Sequence, residues 1–205
     1  ARGLSAAWPG MAPTTPVTFT AAAGEVVAVV GASGIGKTTL LATLAGVLAP
    51  HAGEALVDGR PASVEDLGRS VGVTSEDAHL FGTSVIENLR VARGDVDEDE
   101  AVRALATVGL SAWLDTLPDG LETLVGSGGG TVSGGERRRL LLARASLAPQ
   151  PVQLIDEPGE HLDGAGREAV RAVLDGLRQQ GRSVVIVTHD LSLLDAADRT
   201  VSLDA

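Results

Sequence analysis

The sequence contains no cysteine and no tyrosine, and only two phenylalanines, two tryptophans and one methionine among 205 residues. Without cysteine there is neither a disulfide nor a thiolate metal site. That absence fits a reducing compartment. With so few aromatic side chains the core must be aliphatic, so a hydrophobic content of 44% has to be packed mainly as Leu, Val and Ala. No apolar run approaches the roughly 20 residues of a membrane span. Positive charge is also short. Sixteen Lys and Arg stand against 27 Asp and Glu, a net charge of −11. A general nucleic-acid binder shows the opposite balance, so no nucleic-acid partner is expected. The amino end, Ala1-Arg2-Gly3-Leu4, lacks the apolar core of a signal peptide. It also lacks an initiating Met, and we read the chain as a domain excised from a longer polypeptide. Its length suits one α/β domain with room for a subdomain.

What is present is organised around Gly31-Ala-Ser-Gly-Ile-Gly-Lys-Thr-Thr39. An apolar run, Val26 to Val30, precedes it, and a helical pattern, Leu40 to Ala45, follows it. This is the strand, glycine loop and helix order of a P-loop, with Gly31, Gly36, Lys37 and Thr38 at the motif spacing. A glycine-rich loop can turn its N–H groups inward without Cβ clashes. The helix start adds unpaired donors and the positive end of its dipole. Nucleotide phosphates are therefore expected on Gly31, Ser33, Gly34, Gly36, Lys37, Thr38 and Thr39. Lys37 reaches the outer phosphates, and the Thr38 hydroxyl serves Mg²⁺.

Elsewhere the chain alternates apolar strands with helices. Val17 to Thr20 alternates apolar and polar residues, as a half-exposed strand does. Glu54 to Gly59 reads as a strand closing on an Asp-Gly turn. Ser63 to Leu67 suits a short helix, and Val71 to Val73 a short strand. From His79 to Leu147 the pattern is helical. Ser84 caps one helix, Asp97 with Glu100 makes a capping box for a second, and Ser133 opens a long one over Arg137 to Leu147. Between them Gly126-Ser-Gly-Gly-Gly130 reads as a flexible loop. Val152 to Ile155 and Ser183 to Val187 are buried strands ending in Asp156-Glu157 and Thr188-His189-Asp190. Such alternation implies a parallel sheet covered on both faces, with ligands at the strand carboxyl ends. Trp8-Pro9-Gly10 holds Trp8 on an extended segment. Read alone, Trp8 is either a base-stacking platform or part of the core.

The P-loop, Ser133-Gly134-Gly135-Glu136, Leu154-Ile155-Asp156-Glu157, Leu162-Asp163 and His189 occur in an order that resembles the nucleotide-binding domain of ABC ATPases. The resemblance covers nearly the whole chain. It implies a P-loop NTPase core of the RecA-like kind with a mainly parallel sheet. To this it adds an antiparallel β region near the amino end and an inserted α-helical subdomain. The core is then 1–77 with 149–205, and the helical subdomain with its signature motif is 78–148. The resemblance further implies that Asp156 holds Mg²⁺ and that Glu157 is the general base or orients the attacking water. His189 becomes the switch histidine, Asp163 the D-loop aspartate, and Trp8 the adenine-stacking aromatic. Ser133, Gly134, Gly135 and Glu136 would contact the nucleotide of a second such domain packed head to tail, so that Lys37, Glu157 and His189 supply only half of a catalytic site.

Two positions depart from the pattern. Glu76 stands where the family's glutamine loop has Gln. It is either a further Mg²⁺ contact or a solvated surface acid. The signature reads Val132-Ser-Gly-Gly-Glu136 rather than Leu-Ser-Gly-Gly-Gln. Asp77 to Phe81 followed by Ser84 to Leu89 resembles exporter domains. Glu157-Pro-Gly-Glu-His-Leu-Asp163 looks like the CydC type within the CydDC thiol or haem exporters of cytochrome bd assembly. That resemblance implies a CydD-like partner domain, a transmembrane domain in the parent polypeptide, and a place on the cytoplasmic face of a bacterial inner membrane. Competing expectations are a soluble ABC ATPase acting on DNA or ribosomes, and a regulatory domain that binds ATP with little hydrolysis. The first is disfavoured by the short, heptad-free interval from Glu76 to Ser133.

Overall fold

The computed structural model describes residues 1–126 and 132–204. The sequence-predicted flexible loop at 126–130 therefore lies almost wholly outside the described residues. In chain order the strands are β1 (Arg2–Ser5), β2 (Val26–Val30), β3 (Ala52–Glu54), β4 (Leu56–Val57), β5 (Arg60–Pro61), β6 (Val71–Thr74), β7 (Thr83–Ser84), β8 (Leu124–Val125), β9 (Val152–Asp156), β10 (Ser183–Thr188) and β11 (Arg199–Ser202). The helices are α1 (Lys37–Leu44), α2 (Val85–Arg90), α3 (Glu98–Thr107), α4 (Ser111–Asp115), α5 (Gly134–Leu147) and α6 (Gly164–Gln179). They divide between two compact units, Ala1–Ser75 with Gln150–Pro158 and Leu177–Ala205, and Glu76–Pro149 with Gly159–Gly176.

The first unit is built on a five-stranded sheet in the order β11-β2-β10-β9-β6, every pairing parallel. β2 and β10 are runs of Val, Ala and Ile that alternation cannot explain. They are buried on both faces, as the inner strands of a covered parallel sheet must be. Register sets the site. Val30 pairs with Thr188, and Val187 with Asp156, so β2, β10 and β9 end side by side. The loops bearing the P-loop, Glu157 and His189 all leave from that edge, the ligand side of an open α/β sheet. α1 ends in a Schellman pattern. The Val47 N–H donates to Ala42 O at 3.0 Å, and the Gly46 N–H to Thr43 O at 3.1 Å.

Antiparallel pieces flank this sheet in the same unit. β1 pairs with β3, and β4 with β5 across a two-residue Asp58-Gly59 turn in which both residues have positive φ. That is the hairpin turn expected of Asp-Gly. The expected strand at Val17 to Thr20 is only one bridge, Leu4 to Val17. Its alternation is nonetheless real, since Val17 and Phe19 are buried and Thr18 and Thr20 exposed. An antiparallel region near the amino end is expected from the resemblance, but β1 itself could not be placed, because Arg-Gly-Leu-Ser carries no clear period.

The second unit is mainly helical. Ser84 caps α2 by accepting from the Glu87 N–H at 3.3 Å. Asp97 and Glu100 form the expected capping box on α3, at 2.7 and 3.2 Å. α2 and α3 both pack on α5, burying Ile86, Leu89, Leu105, Leu140 and Leu141. The unit also takes in 159–176, which holds the start of α6 and which the sequence reading assigned to the core.

Candidate active site

Lys37 is the first residue of α1, and its side chain is almost wholly buried. Its ammonium donates to the carbonyls of Gly31 at 3.0 Å and Ala32 at 3.2 Å, curling the loop around it. It also lies 3.2 Å from Glu157 Oε1. The helix start has no side-chain cap and no acid in its first turn. Its first N–H groups therefore keep the positive dipole end available for an anion. Gly36 enters α1 at φ 102°, in the left-handed region. Ser33, Gly34 and Thr38 are exposed, and Thr39 is half-buried.

Glu157 follows β9 directly and is held at φ 44°. A non-glycine residue there costs roughly 1 kcal/mol or more. Its N–H donates to Val187 O at 2.8 Å, which ties the turn to β10. The carboxylate is nearly buried. Oε1 meets Lys37 and, at 3.0 Å, His189 Nδ1, while Oε2 accepts the His189 backbone N–H at 3.1 Å. Burial pushes this carboxyl up, but hydrogen bonds from the His189 ring, the His189 backbone, Lys37 and Thr188 outweigh it. The net result is a carboxyl below its ordinary range. The His189 ring is half exposed, so it spans from the buried acid to solvent. Lys37, Glu157 and His189, far apart in sequence, are thus one hydrogen-bonded cluster.

Asp156, the last residue of β9, is 2% exposed. With the Thr38 hydroxyl it offers a hard-oxygen donor pair. Among the described residues no group of three or more His, Cys, Asp or Glu could hold a metal. A carboxylate and a hydroxyl are the oxygen donors that suit a hard cation such as Mg²⁺. Trp8 lies in the first unit at the start of a turn in which the Met11 N–H donates to Trp8 O at 2.9 Å. At 48% exposure its indole is not core.

The remaining expected residues fall in the second unit. Glu76 is half-buried there. Ser133 caps α5, which begins three residues earlier than the sequence reading had it, at Gly134. The Ser133 side chain accepts from the Glu136 N–H at 3.3 Å, and the Glu136 carboxylate accepts from the Ser133 N–H at 2.7 Å. A Cβ on Gly134 or Gly135 would meet nothing within 4 Å. Nothing among the described residues requires glycine at those positions. Asp163 caps α6, accepting from the Gly166 N–H at 2.8 Å.

Sequence reasoning missed two of these devices. Ser-x-x-Glu at 133–136 is a capping-box pattern in plain view, hidden by its reading as a signature. Thr14, buried and beside Gly36, gave no signal, since Thr14-Thr15 between two prolines reads as loop.

The family model described as ABC transporter matches residues 14–160. An ATP-dependent lipid A-core flippase of Ralstonia nicotianae is 38% identical over 188 residues, covering 89% of this chain and 32% of that protein. The glutathione/L-cysteine transport system ATP-binding/permease protein CydD of Bacillus subtilis is 36% identical over 189 residues, covering 91% and 32%. The solved structure of a bacterial Atm1-family ABC exporter with ATP bound superposes with a TM-score of 0.84 at 27% identity, covering 99% of this chain and 36% of that one. The chain spans about a third of the length of these relatives. It belongs to the ABC transporter family, as the nucleotide-binding ATPase domain that uses ATP with Mg²⁺.

Proposed function

We propose that this domain is the ATP-hydrolysing motor of a membrane exporter. The observation that carries the proposal is the Lys37–Glu157–His189 cluster at the carboxyl edge of the parallel sheet. Lys37 and the uncapped start of α1 hold the phosphates. Thr38 and Asp156 would hold Mg²⁺, which when bound would supply positive charge against the phosphoryl oxygens. Glu157, kept ionised, accepts a proton from the attacking water or orients it. His189 fixes that carboxylate and reaches outward towards the terminal phosphate. Trp8 stacks on adenine.

Gly134 and Gly135, open to close approach, support a second nucleotide-binding domain as partner. Ser133, the glycines and Glu136 then face the nucleotide that the partner holds, and Asp163 sits at the same interface. The compact units at 1–75 and 76–149 are in keeping with a core and a helical signature subdomain. No helix of the described residues is long and apolar enough to cross a membrane. A transmembrane domain in the parent polypeptide would place the motor on the cytoplasmic face of a bacterial inner membrane. In its finer form the proposal is a CydC-type subunit paired with a CydD-type one, supported by Glu157 to Asp163 and by the likeness to a CydD protein.

The test is ATP turnover against protein concentration, for the domain alone and with a CydD-type nucleotide-binding domain added. Shared sites predict slow turnover that rises more than linearly with concentration and is stimulated by the partner. Fast turnover strictly linear in concentration would overturn the shared-site motor.

A further inference from the structure

Thr14 joins two loops that the function above treats separately. Its N–H donates to Ala6 O at 2.9 Å. Its hydroxyl accepts the Ala6 N–H at 3.0 Å, and its carbonyl accepts the Ser5 hydroxyl at 2.7 Å. Ser5, Ala6 and Thr14 are all buried. The chain between them, 7–13, is therefore a closed loop, and Trp8 stands exposed on it. On the other side, the Thr14 γ-methyl fills the space beside the phosphate loop. A Cβ placed on Gly36 would come within 2.5 Å of it. Gly36 is the residue whose carbonyl accepts the first bond of α1, from Leu40 at 2.9 Å. One side chain thus closes the Trp8 loop with its hydroxyl and seats that loop on the start of α1 with its methyl.

We propose that Thr14 is a positioning residue that fixes the span between the Trp8 platform and the phosphate loop, and so sets affinity for the base-bearing part of the nucleotide. The proposal rests on the stacking role of Trp8. Physically, ATP meets the two loops at opposite ends, and any freedom between them must be lost on binding. A buried threonine is an expensive filler unless its hydroxyl is used. Here it is used, accepting the Ala6 N–H beside the two other bonds that close the loop.

The two functions of Thr14 can be separated by substitution. Thr14→Val keeps the methyl against Gly36 and removes the acceptor for Ala6. Thr14→Ser keeps the acceptor and removes the methyl. Both are made in a Trp113→Phe background, so that fluorescence reports Trp8 alone. Affinities are measured for ATP and for inorganic tripolyphosphate, which lacks a base to stack.

Thr14→Val is expected to weaken ATP about fivefold, to change tripolyphosphate by less than about twofold, and to lower Trp8 fluorescence anisotropy. Thr14→Ser keeps the loop closed but loses the methyl contact, so it should restore the anisotropy and recover the ATP affinity in part. If Thr14→Val does not fold, Thr14→Ala must show the same split between the two ligands. Equal weakening of ATP and tripolyphosphate, or no weakening of either, overturns the proposal. Trp8→Ala serves as the reference. If it weakens ATP while Thr14→Val does not, the Thr14 role fails and stacking stands. If Trp8→Ala leaves ATP affinity unchanged, the stacking reading fails and takes the Thr14 role with it.

Discussion

The Lys37 ammonium and the Glu157 carboxylate stand 3.2 Å apart, both almost wholly buried. Each is expensive to bury alone, and each makes the other's charge tolerable. The pair links the loop that binds phosphate to the residue that handles water. A change at Lys37 is therefore felt twice. Lys37→Ala removes the cation facing the phosphates, and ATP binding measured by isothermal titration should weaken by at least about 2 kcal/mol. It also leaves Glu157 with only its His189 and Thr188 partners, so the thermal midpoint should fall. Unchanged ATP affinity would remove Lys37 from the phosphate site.

Glu157→Gln keeps the shape and loses the charge. ATP should bind and stay, with turnover down by at least about a hundredfold, the usual contribution of a positioned base. Acid stability offers a second, independent reading. The folded-state carboxyl lies below its ordinary value, so its stabilising contribution is complete above the unfolded value near 4.3. That contribution is lost as pH falls from there through the folded value. The wild-type thermal midpoint should therefore drop more steeply below about pH 4.3 than that of Glu157→Gln. Parallel acid limbs would show that the hydrogen bonds to Glu157 carry no net stability.

Most of the sheet was legible because its strands are apolar runs too long for chance and too short for helices. Val26 to Val30 coincides with β2 in sequence and structure. The capping residues Ser84 and Asp97 could be read because their chemistry is local. What escaped depends on contacts distant in sequence. β1 exists because Arg2 pairs with Glu54 and Ser5 with Ala52, and no window of the sequence contains both. The P-loop lysine was evident from spacing, but its partner Glu157, 120 positions later, could be linked to it only by resemblance. Sheet register then made that link geometric.

His161 tests how much strain the Glu157–Asp163 turn carries. It sits at φ 60° with its side chain 83% exposed, and its Nδ1 lies 4.0 Å from Glu160 Oε1. It thus bears the left-handed penalty with little to offset it. Glycine adopts that φ freely but gives the unfolded chain more entropy to lose. The balance favours His161→Gly by about 0.5 kcal/mol, or about 1–2 °C in thermal midpoint. A lower midpoint would mean that the imidazole makes a stabilising contact.

The substitution of Glu for Gln at the end of the signature has a structural meaning that can be tested apart from catalysis. Glu136 closes a capping box with Ser133, and Gln can close the same box. Glu136→Gln should therefore leave stability within about 0.5 kcal/mol, whereas Glu136→Ala should lose about 1 kcal/mol. Ser133→Ala removes the cap itself and should cost about as much. The two residues differ in what else they do. If Ser133 also meets the nucleotide held by a partner domain, Ser133→Ala should abolish the concentration-dependent part of ATP turnover, and Glu136→Ala should leave much of it. Measured together, chemical denaturation and turnover against concentration separate the roles. Equal stability losses with equal turnover losses would mean that the motif acts only by starting α5. Equal stability losses with turnover lost only for Ser133→Ala would place its hydroxyl at the shared site.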